Sequence, residues 1–341
     1  MKRNVEYFRG CLLGGAIGDA LGAPVEFLKF DEIKRRFGDE GITDLILSNT
    51  GKAEITDDTQ LTMFTAEGIL NCRSHFEEKG VCHLPTMVFN AYQRWLYTQE
   101  RRLENGVSDS VMEGWLLKIP ELYNWRSPGN TCLSALMTGK FGTMDKPINN
   151  SKGCGGVMRV APIGLFFPKE QAFQTACECA ALTHGHPSGY LSAGVLAHII
   201  ASIIEGMEIG EAVEASLIEL QKYKGHEECT NVIKKAIDLA TSDIDSISAI
   251  KQLGEGWVGD EAIAISIYCA LKYSSDFKKA LCVAVNHDGD SDSTGAITGN
   301  MLGAYLGVEG VPKEWIEKVE LSDVLAKMAD DLIIGYEDIG D

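Results

Sequence analysis

Two acidic clusters, far apart in the sequence, contain the residue types that bind hard metal ions. Residues 287–295 read His-Asp-Gly-Asp-Ser-Asp-Ser-Thr-Gly, so that Asp288, Asp290 and Asp292 alternate with small residues. Residues 56–59 read Thr-Asp-Asp-Thr. Carboxylates packed this densely repel one another, and a cation that neutralises them stabilises the cluster. The two clusters are therefore candidates for the two halves of one metal centre.

Simpler interpretations of each cluster come from helix capping and from calcium loops. The segment 56–58 precedes a helix-period apolar pattern, so one of its residues is expected to cap a helix. An EF-hand that starts at Asp288 needs Gly at position six and Glu at position twelve. The chain has Ser293 and Gly299 at these positions, so a calcium loop is rejected.

Asp290, Asp292 and Thr294 also match the Asp-x-Asp-x-Thr nucleophile motif of aspartate-dependent phosphatases. That chemistry needs a doubly wound sheet, with a lysine and a further acidic motif downstream. Only 47 residues follow Thr294, whereas each remaining βα unit takes about 30 residues. The motif is present, but too few residues follow it to complete the phosphatase fold. A phosphatase is kept as an alternative.

Length and composition indicate one large folded domain, residues 1–341. The chain has 45% hydrophobic and 23% charged residues, which is enough to bury a large core, and no Pro/Ser-rich linker divides it. The net charge of −18 argues against non-specific binding to nucleic acid or to an anionic membrane. An anionic substrate would therefore be bound by local N–H donors, by a few basic side chains or by bound cations.

The cysteines and the N-terminus indicate a cytoplasmic protein. The ten cysteines include no C-x-x-C pair, and we expect reduced thiols that serve as small apolar residues. The apolar segment 11–17 imitates a signal peptide, but Glu6 and Asp19 bracket it, and it is too short to span a membrane. No targeting or transmembrane segment is expected.

Helix-period apolar patterns dominate the chain, and alternating strand patterns are scarce. The helical patterns lie at residues 59–73, 84–98, 108–118, 171–183, 189–205, 210–222, 227–240, 259–273, 276–285 and 295–306. The best strand candidate is residues 41–47. Strands do not alternate with helices, which argues against Rossmann and TIM-barrel folds and for an all-α fold.

Two sets of glycines are spaced by four residues, one near each end of the chain. They are Gly10, Gly14, Gly18 and Gly22, and Gly295, Gly299, Gly303 and Gly307. On a helix this spacing forms one stripe, where another backbone can approach closely. Each glycine weakens a helix by about 1 kcal/mol relative to alanine, so the stripes indicate a packing or site requirement. We expect these two helices, the first and the last, to lie tightly against the core and to bring Asp19 and both acidic clusters together.

A glycine-rich segment at 151–159 reads Ser-Lys-Gly-Cys-Gly-Gly-Val-Met-Arg. It is neither a Walker A motif nor a G-x-G-x-x-G turn after a strand. A glycine-rich turn that opens a helix nevertheless presents free N–H groups suited to a pyrophosphate, with Lys152 and Arg159 nearby; the alternative is a plain loop. His184 and His186 follow in a polar turn, where a histidine either caps a helix or hydrogen-bonds a ligand.

The motifs match those of a known family in the same order. They lie at residues 18–26, 56–59, 151–159, 183–184, 253–257 and 289–295. Together they resemble the ADP-ribosylglycohydrolase family, which includes the dinitrogenase reductase-activating glycohydrolases and the vertebrate ADP-ribosylhydrolases. The resemblance spans nearly the whole chain. It implies an all-α, single-domain orthogonal helical bundle with two divalent cations, Mg²⁺ or Mn²⁺, at its centre.

The resemblance also implies which residues bind the two ions. The metal ligands map to Thr56, Asp57, Asp58, Asp290, Asp292 and Ser293. In the family the last of these positions is commonly Thr, and Ser293 keeps the hydroxyl group that would bind the metal. Oxygen-only ligation agrees with the preference of hard cations. The candidates for the base that takes a proton from metal-bound water are Glu26, Asp58 and Asp292.

The implied reaction is hydrolysis of the glycosidic bond between ADP-ribose and an acceptor, on a modified protein or a small-molecule conjugate. The ADP-ribose contacts map to Ser151, Gly153, Cys154, Gly155, His184 and Trp257. Cys154 stands where some members have Asn, and Lys152 where some have an aromatic residue. The expected acceptor is arginine, and serine-linked or other O-linked ADP-ribose is the alternative. A non-catalytic ADP-ribose-binding protein is a further possibility.

Overall fold

The computed structural model describes residues 2–100 and 109–337, and this part of the chain is an all-α bundle. Its helices are α1 Val5–Gly22, α2 Phe30–Phe37, α3 Asp57–Lys79, α4 Leu84–Glu100, α5 Asn130–Met137, α6 Ala161–Phe166, α7 Lys169–Ala181, α8 Pro187–Ile204, α9 Ile209–Leu220, α10 Glu227–Thr241, α11 Ser246–Leu253, α12 Gly259–Lys272, α13 Phe277–Val285, α14 Ser291–Leu306, α15 Lys313–Lys318 and α16 Ser322–Glu337. The prediction of an all-α bundle is confirmed.

Most of the long helices were predicted within a few residues, whereas five helices of eight residues or fewer and the 16-residue α16 were missed. The helices without a predicted counterpart are α2, α5, α6, α11, α15 and α16. The predicted helix at 108–118 is wrong for the residues that the structure describes, which form two 3₁₀ turns, Asp109–Met112 and Trp115–Lys118. Gly114 lies between the turns, and a Cβ there would be 2.5 Å from Arg94 Nε. The chain thus bends closely around the buried ion pair of Arg94 and Glu67.

The predicted strand at 41–47 is also wrong, because a side chain takes the hydrogen bonds that a neighbouring strand would make. Asn286 Oδ1 accepts from the N–H of Ile42 at 2.9 Å, and Asn286 Nδ2 donates to the Ile42 carbonyl at 2.8 Å. Among the described residues, β-type pairing is limited to two isolated bridges, one between Ala53 and Val319 and one between Gly153 and Val258. The segment 41–47 is therefore an irregular connection fixed to the loop that leads into the second acidic cluster.

One helix, α8, runs through the centre of a continuous hydrophobic core. By length and composition it is apolar enough to cross a membrane, but 89% of it is buried inside the fold. It packs against α7, α6, α9 and α14. These neighbours cover its apolar surface from all sides, as is typical of a core helix.

The two glycine stripes face each other, so the close packing that the sequence predicts is made between these two helices. A Cβ on Gly18 would lie 2.0 Å from the Gly295 carbonyl oxygen, and one on Gly14 would lie 2.5 Å from the Gly299 oxygen. Only hydrogen atoms fit at these positions, so the backbones of α1 and α14 touch directly. The description of α14 as the last helix is wrong, because α15 and α16 follow it. The stripes pack helix on helix, and this contact fixes the geometry of the site.

Candidate active site

The first acidic cluster lies at the N-terminus of α3 and is attached to α1 through Asp19. The fully buried Asp19 carboxylate accepts hydrogen bonds from the N–H groups of Thr56, at 3.0 Å, and Thr59, at 3.2 Å, and from the Thr59 hydroxyl. It thereby satisfies N–H groups that a helix start leaves unpaired. Asp19 positions the cluster, a role that the sequence motif did not reveal.

Three consecutive residues of this cluster have different surroundings. Thr56 is the helix cap, because its Oγ1 accepts from the N–H of Asp58 at 3.3 Å. Asp57 Oδ2 accepts from the N–H of Gly129 at 3.0 Å. Asp58 is only 3% exposed, and its Oδ2 has no hydrogen-bond partner. Asp58 therefore offers a buried, unsatisfied carboxylate oxygen, which is costly unless something binds it.

The second cluster lies at the N-terminus of α14. Asp290 caps this helix through a 3.3 Å bond from the N–H of Ser293, which is also 3.0 Å from Asp292 Oδ1. A Cβ on Gly22, the last residue of α1, would lie 2.3 Å from the carbonyl oxygen of the first residue of α14. The close approach at Gly22 brings the end of α1 directly beside Asp292, so three helix ends converge.

Both clusters line one cavity of about 290 Å³. The predicted site residues on its wall are Glu26, Asp57, Asp58, Gly153, Cys154, Gly155, His184, Trp257, Asp290, Asp292 and Ser293. Thr56 and Ser151 are not on the wall. Asp288 binds elsewhere, because its carboxylate accepts from the N–H of Phe30 at 2.6 Å. A larger cavity of about 560 Å³, bordered by α11 and α13, contains none of the predicted site residues.

Burial and mutual repulsion raise the pKa of the carboxyl groups around this cavity. The pKa of Asp19 is raised to about 7 and that of Glu26 to about 10. In both cases burial is the main cause, and repulsion from Asp292 is the next. Burial also raises the pKa of Asp57 to about 8. Burial and next repulsion from Asp292 also raise the pKa values of Asp58 and Asp290, and burial alone raises the pKa of Asp292. Without a counter-charge, these groups cannot all be ionised at neutral pH.

The donor chemistry of the wall fits hard divalent cations. Its acidic side offers carboxylate and hydroxyl oxygens, and no lysine or arginine is among the described lining residues. The open Oδ2 of Asp58 is a ready donor. In residues 2–100 and 109–337, no three His, Cys, Asp or Glu side chains already stand in a metal-binding arrangement. One reason is that the carboxyl groups of Asp290 and Asp292 hydrogen-bond to each other, a pairing that a cation would replace.

The opposite side of the cavity is formed by neutral groups, with His184 at its centre. His184 Nδ1 lies 2.8 Å from Thr183 Oγ1, and that hydroxyl oxygen accepts from Arg159 Nη2 at 2.7 Å. Burial, and next the Arg159 charge, lower the pKa of His184 to about 3. The imidazole is therefore neutral, and the chain of hydrogen bonds favours the tautomer with the proton on Nε2. This tautomer turns an N–H donor toward the cavity.

Several expectations for the glycine-rich segment need correction. Two of its N–H groups are not free, because Gly153 N donates to Ser151 Oγ at 3.3 Å and Cys154 N to the Trp257 carbonyl at 3.2 Å. Arg159 is fully buried and stacks on a tyrosine ring, while Lys152 pairs with a surface glutamate. Neither basic side chain lines the cavity. The segment is a short turn, Cys154–Gly156, whose glycines let His184 and the loop pack closely.

Aromatic residues border the cavity, and one of them was not predicted. Trp257 stacks on Phe27 with ring centroids 5.2 Å apart and an interplanar angle of 19°. Phe27 is 67% exposed and has a φ of +64°, an uncommon conformation for a bulky residue. The other missed lining residues are Met158, inside the glycine-rich segment, and residues 127–132, on the loop before α5 and its first turn. No sequence pattern marks residues 127–132, because they reach the cavity only through tertiary packing.

The second turn histidine, His186, has a structural role. Its Nδ1 accepts from the N–H of Ser188 at 3.1 Å and so caps α8. The capping interpretation therefore applies to His186, while His184 faces the cavity. The two imidazoles, two residues apart, therefore have different roles: one caps a helix and the other lines the cavity.

Residues 2–340 match the family model described as ADP-ribosylglycohydrolase. The chain belongs to the ADP-ribosylglycohydrolase family. Mouse ADP-ribosylhydrolase ARH3 is 26% identical over 364 residues, covering 95% of this chain and 91% of the relative. ADP-ribosylarginine hydrolase Tri1 of Pseudomonas putida is 25% identical over 335 residues, covering 95% of this chain and 77% of the relative.

A solved structure described as an ADP-ribosylglycohydrolase-related protein complex shares the fold of this chain. Its TM-score is 0.61 at 22% sequence identity, and the match covers 98% of this chain and 99% of that one. The fold excludes the phosphatase alternative. The apolar run before the Asp-x-Asp-x-Thr motif belongs to helix α13, and no strand precedes Asp290 in the described residues.

Proposed function

We propose that this hydrolase is a divalent-metal-dependent, single-domain enzyme that cleaves the glycosidic bond between ADP-ribose and an arginine side chain of a modified protein. The observation that carries the proposal is the two-sided cavity. One side has five carboxyl groups on its wall with no lysine or arginine among the described lining residues, and the other side has a neutral imidazole and glycines. Such a cavity is suited to a substrate with a polyol near one end and a diphosphate near the other.

The acidic side would hold the cations and the reacting ribose. Thr56, Asp57, Asp58, Asp290, Asp292 and Ser293 would hold two ions, Mg²⁺ or Mn²⁺, which bind ribose hydroxyls and lower the pKa of a bound water. Asp58 and Asp292 lie at the centre of the acidic side, and Glu26 lies half-buried toward solvent. Each of these three carboxylates is a candidate for the base that removes the proton of the attacking water.

The neutral side would hold the rest of ADP-ribose. His184 presents an N–H donor without a net positive charge, and Gly153 and Gly155 leave room beside it, because a Cβ at Gly155 would lie 2.9 Å from His184 Cε1. Trp257 offers an aromatic face and an edge at the mouth. Aromatic faces stack nucleobases, with about 1–3 kcal/mol per base. Ser151 does not line the cavity, so its part would be to hold the shape of the glycine-rich loop, where its Oγ accepts from the N–H of Gly153.

Arginine is the proposed acceptor because the mouth is acidic. A guanidinium leaving group is cationic, and it would pass Glu26 in a protein of net charge −18. The relative Tri1 is named as an ADP-ribosylarginine hydrolase, which supports this acceptor. Serine-linked or other O-linked ADP-ribose is the alternative within the same chemistry.

The test is incubation with arginine-, serine- and O-acetyl-linked ADP-ribose, with Mg²⁺, with Mn²⁺ and with chelator, followed by mass spectrometry of the products. We expect metal-dependent release of ADP-ribose from arginine. Release of ADP-ribose only from an O-linked substrate would contradict arginine as the acceptor and favour the O-linked alternative. Release in the presence of chelator would contradict metal dependence. Calorimetric binding of ADP-ribose with no turnover on any substrate would favour a non-catalytic binding protein.

A cytoplasmic location is part of the proposal. All ten cysteines are free thiols in the structure, six of them buried, which supports a reducing compartment. Fractionation of cells that express the tagged chain, followed by immunodetection, checks the location. Recovery in a secreted or membrane fraction would contradict it.

A further inference from the structure

Cys154 places a thiol among the oxygen donors of the acidic clusters. Its Sγ lies 2.8 Å from Asp290 Oδ2, and the Ser293 hydroxyl donates to Sγ at 3.6 Å. Both neighbours belong to the proposed ligand set. Hard cations such as Mg²⁺ prefer oxygen donors and do not need a thiol at this point.

Backbone hydrogen bonds hold the two loops that make this contact. Cys154 N donates to the Trp257 carbonyl at 3.2 Å, and Asp290 N donates to the Glu255 carbonyl at 2.8 Å. Gly256, between these two acceptors, has a φ of +84°, and a Cβ there would be 3.4 Å from Asp290 Cβ. The short segment 255–257 therefore holds the thiol-bearing loop and the Asp290 loop side by side.

A second open donor lies on the same wall. Asp58 Oδ2 is buried without a hydrogen-bond partner, and Asp58 lines the cavity together with Cys154, Asp290 and Ser293. The thiol is thus accompanied by carboxylate oxygens, one of which is unsatisfied. Mixed thiolate and carboxylate donors suit Zn²⁺ and its softer relative Cd²⁺.

We propose that Cys154 supplies a thiolate donor to thiophilic divalent cations, so that Zn²⁺ or Cd²⁺ binds through Cys154 and Asp290 in competition with the hard cation. The inference rests on the metal centre of the proposed function. On binding, the Sγ–H bond breaks, a metal–Sγ bond forms, and the proton passes to the buffer; no group is oxidised or reduced. The enzyme would therefore be inhibited selectively by soft cations.

Two other cysteines must be substituted, because they could bind Cd²⁺ themselves. Cys72 and Cys82 lie within hydrogen-bond reach of each other and are only partly buried, so they are a potential Cd²⁺ site of their own. The parent protein for the test is therefore the full chain with Cys72→Ser and Cys82→Ser, reduced and metal-free. Cys132 also lines the cavity, but Arg159 donates to its sulfur, so Cys132→Ser is the matched control.

The experiment is a Cd²⁺ titration followed by the ultraviolet thiolate-to-metal charge-transfer absorbance and by calorimetry. We expect the charge-transfer band to saturate at one equivalent of Cd²⁺ in the parent and in the Cys132→Ser variant. In the Cys154→Ser variant the band should be lost and the Cd²⁺ affinity should fall by about tenfold or more. A band that persists in Cys154→Ser, or its absence from the parent, would overturn the inference.

Two further measurements separate the possible failures. Thermal unfolding of Cys154→Ser and of Cys154→Ala shows whether both variants fold; loss of the band in a folded variant supports the inference, and retention in either one contradicts it. Mg²⁺-dependent hydrolysis of ADP-ribosyl-arginine by the parent tests the proposed function separately. If the parent binds Cd²⁺ through Cys154 but does not hydrolyse the substrate, the thiolate site stands and the proposed function is refuted.

Discussion

The two sides of the cavity are built in different ways. The acidic side stands on the ends of α1, α3 and α14, and the backbones of α1 and α14 are in direct contact at Gly18 and Gly295. The neutral side stands on loops and a short turn, held by hydrogen bonds such as that from Cys154 N to the Trp257 carbonyl. Helix packing provides rigid positions for charged groups, whereas loops provide N–H donors and aromatic surfaces. The comparison predicts that substitutions on the acidic side have the larger effects.

The largest effect is expected for Asp292→Ala. Asp292 contributes to the raised pKa of several neighbours and is a proposed ligand and candidate base. Its loss should lower turnover of ADP-ribosyl-arginine by about a thousandfold and remove at least one bound ion. Asp288→Asn is the matched control, since Asp288 binds the N–H of Phe30 outside the cavity. Steady-state kinetics and metal analysis measure both, and unchanged turnover in Asp292→Ala would refute the metal mechanism.

The next effect is on stability, at the contact between the glycine stripes. Gly18→Ala places a Cβ that would lie 2.0 Å from the Gly295 carbonyl oxygen, so the two helices must separate. We expect a loss of about 3 kcal/mol in the free energy of unfolding. Gly210→Ala is the control, because nothing lies within 4 Å of its Cβ, and there a gain of about 0.4–1 kcal/mol is expected. Urea unfolding measures both, and equal stabilities would mean that the stripes do not hold the acidic side.

A third prediction concerns metal and pH together. In the metal-free protein the pKa values of Asp19 and Asp57 are raised to about 7 and about 8, above the unfolded value of about 3.9. The folded state then holds protons that the unfolded chain has lost, so stability falls as pH rises from about 4 to about 8. Cations replace these protons and should add about 2.7 kcal/mol at a hundredfold excess over Kd.

The cation-induced rise in Tm should therefore be larger at about pH 8 than at about pH 6, where protons already neutralise part of the cluster. Calorimetry with Mg²⁺ and with chelator at the two pH values measures this difference. The same rise at both pH values would mean that proton release is not coupled to metal binding. No rise at either pH would mean that the acidic side is neutralised in another way.

The smallest effect is expected on the neutral side. Gly155→Val adds a side chain whose Cβ would lie 2.9 Å from Cys132 Sγ and 2.9 Å from His184 Cε1, both of them ends of side chains that can shift. We expect ADP-ribose to bind about tenfold more weakly, or about 1.4 kcal/mol, with little change in stability. Calorimetric titration of free ADP-ribose measures the affinity. Equal binding by both proteins would show that the segment is only a connector.

Sequence reasoning recovered the acidic side more fully than the neutral side, and particular residues show why. Asp57, Asp58, Asp290 and Asp292 belong to dense, ordered motifs at helix starts, and the glycine spacing indicated close packing that brings the two clusters together. The polar turn alone did not distinguish His184 from His186, which only caps α8, and His184 was selected through the family resemblance. The roles of the site residues and the single-domain boundary stay predictions.

The sequence by itself determined the all-α architecture, because helical periodicity is local, and it determined the family, because the motifs occur in a fixed order. Glycine at every fourth position, which costs helix propensity, indicated that α1 and α14 pack closely, but the tertiary structure decided that they contact each other. Only the tertiary structure decided that Arg159 turns inward, that Asp19 anchors α3, and that Phe27 reaches the mouth of the cavity. Those facts depend on neighbours distant in the chain, and the burial and partners that decide a polar side chain's role exist only after the helices have packed.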